Sequence, residues 1–126
     1  MLNRCAVLVA EDQPFIALDL ALAIEDAGGR VIGPASSVKE ALALLEIHPV
    51  VAAILDVNLI DGDVTPVVAY LIERGVPLIL QSGVELPSDL AIQFPDLIVH
   101  TKPNIAAKLV SEIETILEKR REMPLH

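Results

Sequence analysis

A chain of 126 residues is long enough for one compact domain and too short for two, and its 53% of apolar residue types supplies a sizeable, mainly aliphatic core. A net charge of −9 argues against nonspecific binding to nucleic acid and against docking to an anionic membrane, since both need a basic face. Cys5 is the only cysteine, which excludes an internal disulfide and a cysteine-based zinc site; it reads as a small core residue.

In chain order, Met1–Cys5 carries no signal-peptide pattern, and no apolar run approaches the roughly 20 residues of a membrane span, so a soluble, cytoplasmic protein is expected. Ala6–Ala10 reads as a first strand. Pro14–Ala27 follows as a helix with Ile16, Leu20, Ile24 and Ala27 on its core stripe. Arg30–Gly33 is the second strand. Ser37-Val38-Lys39-Glu40 has the form of a capping box and opens a helix that buries Val38, Leu42 and Leu45. Val51–Leu55 is the third strand. Thr65-Pro66 reads as an N-cap followed by proline at the first helical position; Val67, Val68, Leu71 and Ile72 form that helix's apolar face, and Gly75 ends it. Leu78–Gln81 is the fourth strand, Pro87–Pro95 holds only a short helix, and Leu97–Val99 is the fifth strand. The last helix, about Ile105–Arg121, turns Ile105, Leu109, Ile113 and Ile116 inward and Lys108, Glu112, Glu118 and Lys119 outward.

The strands are almost continuously aliphatic, as strands buried on both faces are. Five of them alternating with five helices predict a doubly wound α/β domain with a parallel sheet. In such sheets ligands bind beyond the C-terminal ends of the strands. The residues falling there are Glu11 and Asp12 after the first strand, Asp56 at the third, Ser82 after the fourth and Lys102 after the fifth. Carboxylates brought this close repel one another, and a hard divalent cation such as Mg²⁺ (or Mn²⁺) relieves that repulsion with oxygen ligands. The same ion neutralises a transferring phosphoryl group, and a carboxylate can be its nucleophilic acceptor. Lys102 then offers a charge, and Ser82 a hydrogen bond, to phosphoryl oxygens.

These residues resemble the response-regulator receiver family over essentially the whole chain. The matching segments are Val7-Leu8-Val9-Ala10-Glu11-Asp12, Ile54-Leu55-Asp56-Val57-Asn58-Leu59 with Asp61-Gly62, Gln81-Ser82-Gly83 and Lys102-Pro103. Gly33-Pro34-Ala35, Asp56-Val57-Asn58-Leu59 and Arg74-Gly75-Val76-Pro77 look like a subgroup of single-domain receivers often paired with sensor histidine kinases. The resemblance implies a flavodoxin-like fold with strand order 2-1-3-4-5, a receiver over residues 1–121 and a short tail at 122–126. It implies Asp56 as phosphoacceptor, and Glu11, Asp12, Asp56 and the backbone carbonyl of Asn58 as metal ligands. Ser82 would be the hydroxyl switch, Lys102 a phosphate contact and Lys102–Pro103 a cis peptide. The phosphoryl donor would be a sensor histidine kinase or histidine phosphotransfer protein. Without an output domain, the chain would signal by protein contact with a downstream target, pass the group on or act as a phosphate sink. It would not be an enzyme beyond its own phosphorylation and dephosphorylation.

The chain departs from the family where an aromatic commonly stands three residues before the lysine; here that residue is Val99. Val84 follows Ser82-Gly83 and Asn104 follows Lys102-Pro103, again in places that often hold aromatics. These changes bear on output rather than chemistry, and the side chains at Asn58 and Val84 are expected to set the aspartyl-phosphate lifetime. On the first helix Phe15, Leu18 and Leu22 cluster opposite the core stripe, an apolar patch read as the partner-docking face. His48, His100 and His126 have no partners at metal-ligand spacing and read as structural or solvated. A pseudo-receiver working as a phosphorylation-independent binding module is the alternative, disfavoured because the acidic set, hydroxyl and lysine are all present. A flavodoxin-like phosphate site is a poor fit to the acidic Glu11-Asp12-Gln13-Pro14 loop, and a haloacid-dehalogenase-type phosphatase to Asp12 followed by Gln13-Pro14.

Overall fold

The computed structural model describes residues 1–83 and 86–122. The elements in order are β1 (Ala6–Ala10), α1 (Pro14–Asp26), β2 (Arg30–Ala35), α2 (Val38–Ile47), β3 (Ala52–Asp56), β4 (Asn58–Leu59), β5 (Gly62–Asp63), α3 (Thr65–Glu73), β6 (Leu78–Ser82), α4 (Ser88–Gln93), β7 (Ile98–Thr101) and α5 (Ala106–Glu122). The main sheet is parallel and runs β2-β1-β3-β6-β7, the predicted 2-1-3-4-5 order of the five principal strands. The sequence does not announce β4 and β5, two residues each, which form an antiparallel hairpin just past β3.

Side chains alternate across the sheet and divide the core in two. Val7, Val9, Ala52, Ile54 and Ile79 meet Leu20 and Ile24 of α1 and Leu109, Val110, Ile113 and Leu117 of α5. Leu8, Ala10, Ala53, Leu55, Leu78 and Leu80 meet Ala41 and Leu45 of α2, Val67, Val68 and Leu71 of α3, and Leu90 of α4. β1, β3 and β6 are therefore buried on both faces, which is why they read as unbroken aliphatic runs. Among the described residues, no helix is long and apolar enough to cross a membrane.

Local chemistry sets the element ends. The Ser37 hydroxyl accepts from the Glu40 N–H at 3.0 Å, giving α2 the predicted cap. Asp61 of the β4–β5 turn adds to it, its carboxylate accepting from Val38 N–H at 2.7 Å and Lys39 N–H at 3.1 Å. In α3 the expected cap is displaced by one residue, to Val64, whose side chain makes no cap hydrogen bond. Thr65 is already helical, and Asp63 Oδ1 accepts from its N–H at 2.9 Å. Gly33 has φ +102, and a Cβ there would lie 2.8 Å from the Val9 carbonyl. Only glycine tolerates this approach of β2 to β1, at the register shift that brings Ala35 level with Ala10. Lys102–Pro103 is cis as expected, and so is Gly33–Pro34.

Two helix faces differ from expectation. Ile105 lies just before α5 and is 70% exposed, because the helix begins one residue later and turns Leu109, Val110, Ile113 and Leu117 inward. Ile72 stands at the rim of α3, 40% exposed. α4 is short, at six residues. The α5 helix extends through Glu122, the first residue of the expected tail; the remainder of that tail, with His126, and Val84 lie outside the described residues. On the far side of α3, the Tyr70 hydroxyl donates to the Leu45 carbonyl at 3.4 Å and its ring lies 3.5 Å beneath the Arg74 guanidinium.

Candidate functional site

Parallel register carries the site residues to one edge of the sheet. Ala10 pairs with Leu55 and Leu55 with Leu80, so the next residues, Glu11, Asp56 and Gln81, come level with one another. Ser82 pairs with Thr101, placing Lys102 one step beyond. The Glu11 N–H donates to the Ala35 carbonyl at 2.8 Å and the Lys102 N–H to the Ser82 carbonyl at 2.9 Å, so both residues continue the sheet's hydrogen bonding past its formal ends.

Glu11, Asp12 and Asp56 each offer a carboxylate oxygen, and these oxygens lie within 4.8 Å of one another. Glu11 and Asp56 are buried, while Asp12 stands at the mouth. The Lys102 ammonium bridges the pair, 2.9 Å from Glu11 Oε1 and 2.9 Å from Asp56 Oδ2, with Gln13 Oε1 at 3.3 Å. Ser82 is buried at the end of β6. The Asn58 N–H donates to Asp56 Oδ1 at 3.3 Å.

Burial, and then the neighbouring Asp56 carboxyl, push Glu11 up to about 7, while Lys102 and the Gln13 N–H pull it back. For Lys102, burial works to lower the pKa, but the hydrogen bonds to Glu11 and Asp56 outweigh it and hold the ammonium above its ordinary 10.5. The donor set fits a hard cation: the three carboxylates are oxygen ligands within reach of a common centre, and they concentrate charge that one lysine only partly offsets. Glu11, Asp12 and Asp56 could together hold a divalent metal ion.

Glu11, Asp12, Asp56, Ser82, Asn58 and Lys102 therefore share one edge of the sheet, as their positions after the strands imply. Phe15, Leu18 and Leu22 are on α1 and exposed, by 84%, 53% and 49%. Val99 is part-exposed on β7. His100 lies near the site on β7 but pairs with Glu112 of α5, its Nε2 2.7 Å from Oε2. Sequence reasoning passes over Gln13 and Gln81, which hydrogen-bond the ionic cluster. The signal for Gln81 was present, as a polar residue closing an otherwise aliphatic strand.

A five-stranded parallel sheet in this order, with an acidic pocket at its C-terminal edge, defines a receiver-type α/β protein. Solved structures agree. SdrG from Pseudomonas melonis Fr1, in its BeF3-activated conformation, is 33% identical, with a TM-score of 0.68 over 93% of this chain and 98% of that one. A CheY-like response regulator receiver domain protein from Methanospirillum hungatei JF-1 is 21% identical, with a TM-score of 0.80 over 94% and 97%. The response regulator PhyR from Brucella abortus is 24% identical, with a TM-score of 0.64; 94% of this chain is covered but only 53% of PhyR, so the chain spans about half of that protein. No family model matches the sequence, and no curated protein matches it. The chain belongs to the response regulator receiver domains.

Proposed function

We propose that the chain accepts a phosphoryl group on Asp56 from a histidine kinase or histidine phosphotransfer protein. The observation that carries this reading is the buried Glu11–Asp56 pair bridged by Lys102, with Asp12 at the mouth. Asp56 would attack phosphorus through a carboxylate oxygen as the bond from phosphorus to the donor imidazole nitrogen breaks. The new P–O bond gives an aspartyl phosphate, and the electron pair leaves with the imidazole. Glu11, Asp12, Asp56 and the Asn58 carbonyl would hold Mg²⁺, which supplies charge neutralisation to the transferring group. Lys102 would move from carboxylate to phosphoryl oxygen, and the Ser82 hydroxyl would donate to another. The chain then catalyses only its own phosphorylation and dephosphorylation. It signals in the cytoplasm through protein contact, onward transfer or as a phosphate sink.

The BeF3-activated form of the SdrG relative supports this reading. The test is intact mass after incubation with acetyl phosphate, with and without Mg²⁺. The expected result is a Mg²⁺-dependent gain of one phosphoryl mass, absent from Asp56→Ala. No gain under any condition would leave a receiver fold that works as a binding module alone.

A further inference from the structure

Gln81 occupies an unusual place for an amide. It is 2% exposed in β6, preceded by Leu78, Ile79 and Leu80, with Asp56 as its cross-strand neighbour on one side and His100 on the other. An amide sequestered there requires a hydrogen-bond partner. Its Nε2 donates to Glu11 Oε1 at 3.3 Å. Glu11 extends β1 and Gln81 belongs to β6, with β3 between them, so the two side chains together bridge an interstrand distance of about 10 Å. Both are long enough to do so; an asparagine in place of Gln81 would not be.

Glu11 Oε1 receives two donors of different character. Lys102 Nζ sits 2.9 Å away on a flexible stem and is shared with Asp56 Oδ2 and Gln13 Oε1. Gln81 is uncharged and fixed in a strand paired on both edges. The remaining Glu11 oxygen, Oε2, accepts from the Gln13 N–H at 3.1 Å, a contact from the loop. An anion arriving at Asp56 would compete with Glu11 for the shared ammonium. Gln81 cannot follow, and as a neutral donor it does not compete with a cation for the carboxylate.

We propose that Gln81 is a positioning residue that holds the Glu11 carboxylate in the acidic pocket when Lys102 is drawn away, and so sets the affinity of the pocket for Mg²⁺. The inference rests on the receiver reading and deepens it. Removing a hydrogen-bond partner of a metal-binding carboxylate typically weakens metal affinity by about 10-fold or more.

Gln81→Met keeps the length of the side chain and removes its donor. Mg²⁺ titration by calorimetry is expected to give a dissociation constant about tenfold higher than wild type. The melting temperature in EDTA is expected to stay close to wild type, and acetyl-phosphate labelling slowed at low Mg²⁺ to recover as Mg²⁺ is raised. A merely structural Gln81 would instead lower the metal-free melting temperature and leave Mg²⁺ affinity alone, which overturns the inference. Should Gln81→Met fold poorly, Gln81→Asn, with an amide too short to reach Glu11, is measured and judged in the same way. If wild type and variant bind Mg²⁺ equally, the positioning role is wrong and the receiver reading stands. If wild type binds no Mg²⁺, both fall.

Discussion

At Glu11 a buried carboxylate is asked to stay ionised beside another carboxylate. Its pKa is raised from 4.5 to about 7, so folding of the metal-free chain favours the protonated acid between those values. That contribution to stability is complete below 4.5 and is lost as the pH rises through about 7. A metal ligand must shed its proton, so Mg²⁺ affinity should run the other way. Between about pH 8 and about pH 6, affinity measured by calorimetry is expected to fall by about tenfold, the change in the ionised fraction of a group titrating near 7. An affinity flat across that range would mean that Glu11 either is already ionised at about pH 6 or does not contribute to binding. The sequence exposes the carboxylates because they follow aliphatic runs, but it cannot show which is buried or which oxygen Lys102 takes. Those depend on strand register, which no local pattern encodes.

Among the elements, the hairpin of β4 and β5 lies between β3, which ends on Asp56, and α2. Asp61 at its turn accepts two N–H groups from the first turn of α2, and the Ile60 N–H donates to the Ser36 carbonyl at 3.1 Å. The exposed Asp61 carboxyl is held below its ordinary 3.8 by those backbone donors. Its stabilising effect is therefore complete above 3.8 and is lost as the pH falls through the lower folded-state value. Thermal melts of Asp61→Ala are expected to show a lower midpoint than wild type near neutral pH, with the gap closing in acid. Ser37→Ala removes an uncharged cap from the same helix and is expected to cost about 1 kcal/mol with no such closure. The Ser37 cap of α2 was legible from Ser37 and Glu40. The Asp61 clamp was not, because it joins residues more than twenty positions apart. The α3 cap was misplaced for a related reason: Thr65-Pro66 looks like a start, yet Asp63 meets the first N–H from outside.

Taken whole, the molecule separates its work by face. The C-terminal edge of the sheet carries the ionic cluster, and α1 leaves beside it with Phe15, Leu18 and Leu22 in solvent. On the proposal that these three residues form the docking face for a phosphoryl donor, Leu18→Asp is expected to slow phosphotransfer from a histidine kinase by about tenfold, the scale of an interface hot spot, while labelling by acetyl phosphate is unchanged. Equal loss with both donors would place the defect in the fold. The layer order and sheet topology were readable because β1, β3 and β6 are apolar on both faces, whereas the edge strand β7 is not and its bounds shifted. An almost wholly aliphatic core also has an optical consequence. With no tryptophan and one tyrosine, intrinsic emission comes from Tyr70. That residue lines a surface cleft with Leu45, Pro49, Val50 and Val76, where strands β3 and β6 begin rather than where they end. Its fluorescence therefore follows loss of the fold and ignores occupancy of the pocket, so wild type and Asp56→Ala can be compared on one unlabelled signal.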